Sequence, residues 1–306
     1  MRTETTQHRV SIRRACLVTA IAMVLWSAGV LKAQSGTAKK DNRGWVLVET
    51  FQGSSDTLGT VSKLGTAVGY KFTRHFEIDA GAPFYFVHAA SSSTATGYSS
   101  GNGIGNPYLN LQFSLDNSVT SFVSSISGTA PVADTAKGLS TGRVTVDWDN
   151  YLEFTIGRIT PFANLGLGNS ISDTHFFTRP FTSLGTVAHF EGGASVQVWR
   201  ALSLGGSAYA DAPFGQQKVF SKLIKRGQVG TSGQGRSPKS GAFEKQSMTV
   251  GDASIARDNG GSVWLDLSPG GVADFQVGFS RSVEYDLNTV FFGVVLNVGN
   301  WLRARH

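Results

Sequence analysis

The stretch RVTVDWDNYLEFTI, residues 143–156, decides the fold. Its even positions read Val144, Val146, Trp148, Asn150, Leu152, Phe154 and Ile156, and its odd ones Arg143, Thr145, Asp147, Asp149, Tyr151 and Glu153. Successive side chains of a β-strand point to opposite faces, so a two-residue period gives one apolar and one polar face. A helix would spread both sets around its circumference. Residues 104–115 repeat the pattern, with Asn106, Tyr108, Asn110, Gln112 and Ser114 opposite Pro107, Leu109, Leu111, Phe113 and Leu115. Near the end of the chain, Val290, Phe292, Val294, Leu296 and Val298 alternate with Thr289, Phe291, Gly293, Val295 and Asn297.

The same period predicts strands near 44–52, 62–73, 76–88, 104–115, 119–130, 142–155, 158–170, 186–198, 201–212, 259–267, 272–281 and 287–299. Their length suits a tilted strand crossing a bilayer, which needs about 9–11 residues. From the first strand onward the connections run long, then short. The short ones are Thr73-Arg74-His75, Asp116-Asn117-Ser118, Ile156-Gly157-Arg158, Trp199-Arg200-Ala201 and Ser268-Pro269-Gly270-Gly271. The long ones include 89–103, 131–141, 171–185 and 213–258, and the last connection, 282–286, is of intermediate length. Short turns gathered at one end belong to an outer-membrane barrel, with brief periplasmic turns, longer outside loops and an even strand number. A soluble sandwich has no reason to sort its turns this way. In lipid the strand edges are satisfied only by closure, so the apolar face meets lipid and the polar face lines the lumen. Trp45, Trp148, Trp199, Trp264 and Trp301 are candidates for aromatic girdles.

Composition agrees. Charged residues make up 16% of the chain and glycines number 37; soluble domains carry about 25% charge. Residues 1–33 hold Arg2, Arg9, Arg13, Arg14 and Lys32 against Glu4, so most of the net charge of +6 lies there. No aromatic-interleaved basic stripe points to nucleic acid. Residues 1–33 read as a signal peptide: a basic stretch ending at Arg13-Arg14, an apolar run from Ala15 to Val30, then Leu31-Lys32-Ala33 before the cut. The apolar run is shorter than the roughly 20 residues of a membrane helix. Residues 34–43 then form a periplasmic N-terminal segment and 44–306 the barrel. The only cysteine, Cys16, falls in the signal, so the processed chain offers no thiolate for a disulfide or a metal. The expected fold is all-β, a transmembrane antiparallel up-and-down β-barrel of about 12 strands in the outer membrane.

Gly103-Ile104-Gly105-Asn106-Pro107-Tyr108-Leu109 resembles a glycine-led strand motif of the MetA-pathway phenol-degradation (transporter-like) family of outer-membrane proteins. Gly128-Thr129-Ala130-Pro131, followed by Lys137-Gly138-Leu139-Ser140-Thr141-Gly142, resembles it too, as does the closing run Ser280 to Thr289. The resemblance implies a barrel for passage of small, aromatic or hydrophobic compounds and names no binding residue. One departure stands out: outer-membrane strands commonly close the chain on an aromatic, whereas Trp301 here precedes Leu302-Arg303-Ala304-Arg305-His306.

Twelve strands lie between side-chain-filled barrels of about 8 and open porins of about 16–18. Parity turns Glu77, Asp79, Asn110, Asp147, Asp149, Glu153, Glu191, Asp211, Asp266 and Asp274 inward, against Lys71, Arg143 and His189. The acidic excess predicts a weakly cation-favouring pore, because charged rings set selectivity in a constriction. Loop 213–258 carries Lys218, Lys222, Lys225, Arg226, Arg236, Lys239, Lys245 and Arg257, a charge suited to lipopolysaccharide phosphates. The expected partners are outer-membrane lipid, lipopolysaccharide and small-molecule solutes, with room for a homo-oligomer and no nucleic acid.

Two other readings compete. A barrel hydrolase or acyltransferase would use a loop-rim histidine, with Asp173 and His175 beside Ser170 or Ser172 as the candidate pairing, and a structural barrel would conduct nothing. No spacing fixes a catalytic geometry, so no enzyme activity and no cofactor is expected. His189 and Glu191 share a face but lack a third ligand along their strand, so no metal site is read from the sequence. Gly101-Asn102-Gly103-Ile104-Gly105 does not match a dinucleotide motif.

Overall fold

The computed structural model describes residues 43–301 except 57–58, 90–100, 135–138, 141, 171–181, 221–247, 252–256, 270–271, 285 and 299–300. The expected signal peptide, most of segment 34–43, the Asp173–His175 pair and the middle of loop 213–258 lie outside these residues.

Alternation of the kind seen in residues 143–156 produces fifteen strands among the described residues. These are β1 (Gly44–Asp56), β2 (Gly59–Lys71), β3 (Phe76–Ala89), β4 (Gly101–Ile104), β5 (Tyr108–Asp116), β6 (Thr120–Thr129), β7 (Thr145–Phe154) and β8 (Ile159–Ser170). There follow β9 (Thr182–Trp199), β10 (Leu202–Pro213), β11 (Gln217–Phe220), β12 (Met248–Gly251), β13 (Asp258–Leu267), β14 (Ala273–Ser282) and β15 (Leu287–Asn297). The long strands pair antiparallel in the cyclic order β1-β2-β3-β5-β6-β7-β8-β9-β10-β13-β14-β15. The ring closes where β15 returns to β1, in register from Val46↔Asn297 to Ser55↔Asn288. The chain is therefore a closed twelve-strand antiparallel barrel.

The three remaining strands extend this wall. β4 runs along β3 ahead of β5, with 105–107 bulged opposite Ala82 and Pro83. Pro107 has no N–H for the ladder, which makes this a natural place for the break. β11 continues β10 along β9, and β12 pairs with β11. Both ends of the expected loop 213–258 are thus part of the sheet. The break between β10 and β11 is stitched by Gln217, whose amide donates to the carbonyls of Thr186 and Phe214, 3.0 Å each. Only glycine at position 185 leaves room for that amide, which would lie 2.5 Å from an added Cβ.

The tight turns form for local reasons. The Thr73 hydroxyl accepts from the backbone N–H of His75 and Phe76, and the Asn117 carboxamide oxygen from Val119 and Thr120. Ile156 and Ile159 exchange backbone hydrogen bonds around Gly157, whose φ of +64° suits a two-residue hairpin. One expected long connection is short. β1 and β2 run further outward than the sequence pattern indicates, because Gly53, Ser54 and Ser55 pair on with Ser62, Val61 and Thr60 as far as Asp56↔Gly59.

Burial alternates along the strands. Trp45, Val68, Leu109, Leu111, Trp148, Leu165, Phe190, Leu204, Val263, Val277 and Val290 point away from the barrel and stay exposed. An apolar surface encircling the whole barrel has no counterpart on water-soluble monomers and belongs in lipid. At the short-turn end, Trp45 packs edge-on to Tyr70 at 5.1 Å and Phe76 contacts Phe113 at 5.2 Å, with Trp199 nearby in level and 75% exposed. Phe84 and Phe86 pair at 4.8 Å nearer the other end. Trp264 departs from the girdle expectation. It lies on the even, inward face of β13 and is only 6% exposed, because its indole lies against Gly205 of β10.

Candidate functional site: the barrel interior

The inward positions of the strands make a polar interior with two unlike walls. On β13, β14, β15 and β1 these residues are mostly buried, among them Asp258, Ser262, Trp264, Gln276, Ser280, Ser282, Thr289, Phe291, Thr50, Gln52 and Ser54. Their hydroxyls and carboxylates are knitted together. Ser282 donates to Asp258 at 2.5 Å, Tyr209 of β10 donates to its other oxygen at 3.3 Å, and Ser54 and Thr289 share a hydrogen bond of 2.9 Å. The Phe291 ring lies against Gly278, where an added Cβ would be 2.2 Å from it.

On β3, β5, β6 and β7 the inward residues are mostly half-buried, among them Glu77, Asp79, Asn110, Gln112, Ser125, Ser127, Asp149 and Glu153. Asn110 donates to Asp79 at 2.7 Å, Ser121 to Asp116 at 2.7 Å, and Tyr151 to Glu153 at 2.9 Å. Leu139, from the connection between β6 and β7, turns in over Gly103 of β4 and is buried there. Between the two walls, Tyr151, Phe162 and Trp264 form an aromatic arc with ring separations of 5.5 and 5.9 Å. Gly193 and Gly205 make room for the last two rings. Trp264 donates to Asp266 at 2.9 Å, so carboxylates stand at both ends of the arc.

Of the sequence-predicted residues, Glu77, Asp79, Asn110, Asp147, Asp149, Glu153, His189, Glu191, Asp266 and Asp274 all occupy inward register positions, as do Asp211 and Lys71. Arg143 does not join them; it precedes β7 and is exposed. Lys63, Asp116 and Asp258 share the inward face as well. Lys63 has the parity of Lys71, a signal that the sequence carried, whereas Asp116 and Asp258 sat in segments read as connections.

The structure also groups residues that no single strand reveals. Asp149 of β7 and His189 of β9 stand on either side of Gly166 of β8, and Asp147 faces Gly168 one step further along. His189 Nε2 is 2.8 Å from Asp149 Oδ1 and 3.7 Å from Asp147 Oδ2. The imidazole is 2% exposed and the Asp149 side chain 25%. Asn164 donates to Asp149 at 3.3 Å. Glu191, the partner that strand spacing offered to His189, instead accepts from Ser207 at 2.6 Å. His75 pairs through Nδ1 with the Ser114 carbonyl at 2.7 Å, a turn contact away from this group.

No protein-family model and no curated protein sequence matches the chain. Among solved structures, the COG4313 outer membrane channel from Pseudomonas putida F1 superposes with a TM-score of 0.57 at 11% identity, covering 87% of this chain and 99% of that one. Looser overlaps include the translocator domain of autotransporter NalP from Neisseria meningitidis (TM-score 0.38, 10% identity, 95% and 97% covered). The toluene transporter TodX from Pseudomonas putida is another (TM-score 0.37, 10% identity, 90% and 92% covered). With its closed ring, apolar belt and polar interior, the chain has the fold of an outer-membrane β-barrel.

Proposed function

We propose that this barrel is an outer-membrane channel for small solutes, weakly favouring cations. The observation that carries the reading is the charge of the interior. Glu77, Asp79, Asp116, Asp147, Asp149, Glu153, Glu191, Asp211, Asp258, Asp266 and Asp274 face inward against Lys63, Lys71 and His189. Within a low-dielectric tube, such an excess raises the local concentration of cations and opposes anions. The half-buried wall of β3, β5, β6 and β7 is the side along which solutes would pass, with Glu77, Asp79, Asn110, Asp149 and Glu153 as pore-lining groups. The resemblance to the phenol-degradation transporter-like proteins, together with the arc of Tyr151, Phe162 and Trp264, favours aromatic or hydrophobic solutes within the small-molecule class. The basic segment 213–258 would meet lipopolysaccharide phosphates at the outer surface.

The test is electrical. Purified, heat-modifiable protein in planar bilayers is expected to give discrete conductance steps and, in a salt gradient, a reversal potential on the cation side. Absence of conductance, or a clear anion preference, would refute the reading.

A further inference from the structure

We propose that Asp147, Asp149 and His189 form a binding site for a divalent first-row transition ion of the Zn²⁺ or Co²⁺ kind inside the barrel. One ligand atom from each residue falls within 4.8 Å of the others, two carboxylate oxygens and one imidazole nitrogen. Strand geometry alone would not bring them together. Asp149 and His189 come from strands separated by β8, and they meet only because the residue between them is Gly166. A Cβ there would lie 1.7 Å from His189 Nε2, and one at Gly168 would lie 2.3 Å from Asp147 Oδ1. The inner face of β8 is therefore notched twice, once beneath each part of the cluster.

The donor set selects the ion. Mg²⁺ and Ca²⁺ prefer all-oxygen shells, whereas an imidazole with two carboxylates suits Zn²⁺, Co²⁺ and their neighbours. Three protein ligands leave coordination positions for water or a passing solute, as in open zinc sites. Two carboxylates beside one imidazole supply the negative charge that a dication needs. Asn164 donates to Asp149 and so orients that ligand from outside the shell. The partly exposed Asp149 side chain offers the ion a way in from the lumen. Binding of the ion would not require that solutes pass, so this site and the channel reading stand or fall separately.

The experiment uses the full chain folded in detergent, with Co²⁺ titrated while its visible d–d absorption is followed and Zn²⁺ then added as competitor. One saturable Co²⁺ per chain, displaced by Zn²⁺, is expected. Asp149→Asn and His189→Ala should each weaken binding by at least about 100-fold. Gly166→Ala keeps all three ligands but wedges a methyl between two of them, and should weaken binding by about 10–100-fold. His75→Ala, which removes a histidine of the β2–β3 turn away from the cluster, should leave it unchanged. Heat-modifiable migration certifies that each variant is folded, and the near-isosteric Asp149→Asn decides the matter if His189→Ala fails that check. No saturable binding by the parent protein, or equal affinity in the folded Asp149→Asn variant, would overturn the site.

Discussion

The wall of β13, β14, β15 and β1 faces the wall of β3, β5, β6 and β7 across the same ring, yet the two fill their share of the interior differently. The first places hydroxyls, glycines and two aromatic rings in close contact, with Ser282, Thr289 and Asp258 fully buried. The second spaces amides, hydroxyls and carboxylates along a surface left half-buried, as at Asn110, Ser125 and Glu153. Both obey the same alternation, and they differ in which side chains take the inward positions. Where a bulky group meets a glycine on the next strand, the interior packs like a protein core. Where medium polar groups follow one another, it stays open.

That contrast can be broken in stability or in conduction. Phe291→Ala, on the packed wall, should cost about 3–5 kcal/mol through lost contacts and a cavity over Gly278, measured by reversible denaturant unfolding in detergent. Gly278→Ala should cost about 1–3 kcal/mol by the same measurement, since its methyl would collide with the Phe291 ring and the Val263 carbonyl. Ser282→Ala, which withdraws a donor from the buried Asp258 carboxylate, should also lie in the range of about 1–3 kcal/mol. On the open wall, Glu77→Lys combined with Asp79→Lys should move the bilayer reversal potential toward anions. The smallest effect is expected for Ser125→Ala, within about 0.5 kcal/mol and with conductance steps unchanged. If Ser125→Ala proved as costly as Ser282→Ala, the distinction between the walls would fail.

Much of the architecture was legible because a membrane-spanning strand must sort its side chains strictly. Residues 143–156 show both faces of β7 outright, and the alternation of short and long connections, broken only at the β1–β2 hairpin and weakened at 282–286, points to an even number of strands. Trp264 has the aromatic character of a girdle residue, but its parity with Asp266 is the signal that turns it inward. Gly53, Ser54 and Ser55 look like a turn in the sequence, and only their pairing with Ser62, Val61 and Thr60 extends the β1–β2 hairpin outward. The site was legible only in part. Parity along single strands found Asp147, Asp149 and His189 separately, but their meeting depends on register across β8. There the informative residues are Gly166 and Gly168, which have no side chain to notice.

Those empty positions have a consequence for how such a tube changes calibre. An indole, a phenyl ring or an imidazole that reclines in the recess left by its neighbour takes up little of the bore. Filling the recess would tip the same group toward the axis and narrow the passage without altering the number of staves. Paired exchange of a glycine and its bulky neighbour, as with Gly205 and Trp264 or Gly278 and Phe291, is thus a simple dial for aperture in a barrel of fixed circumference.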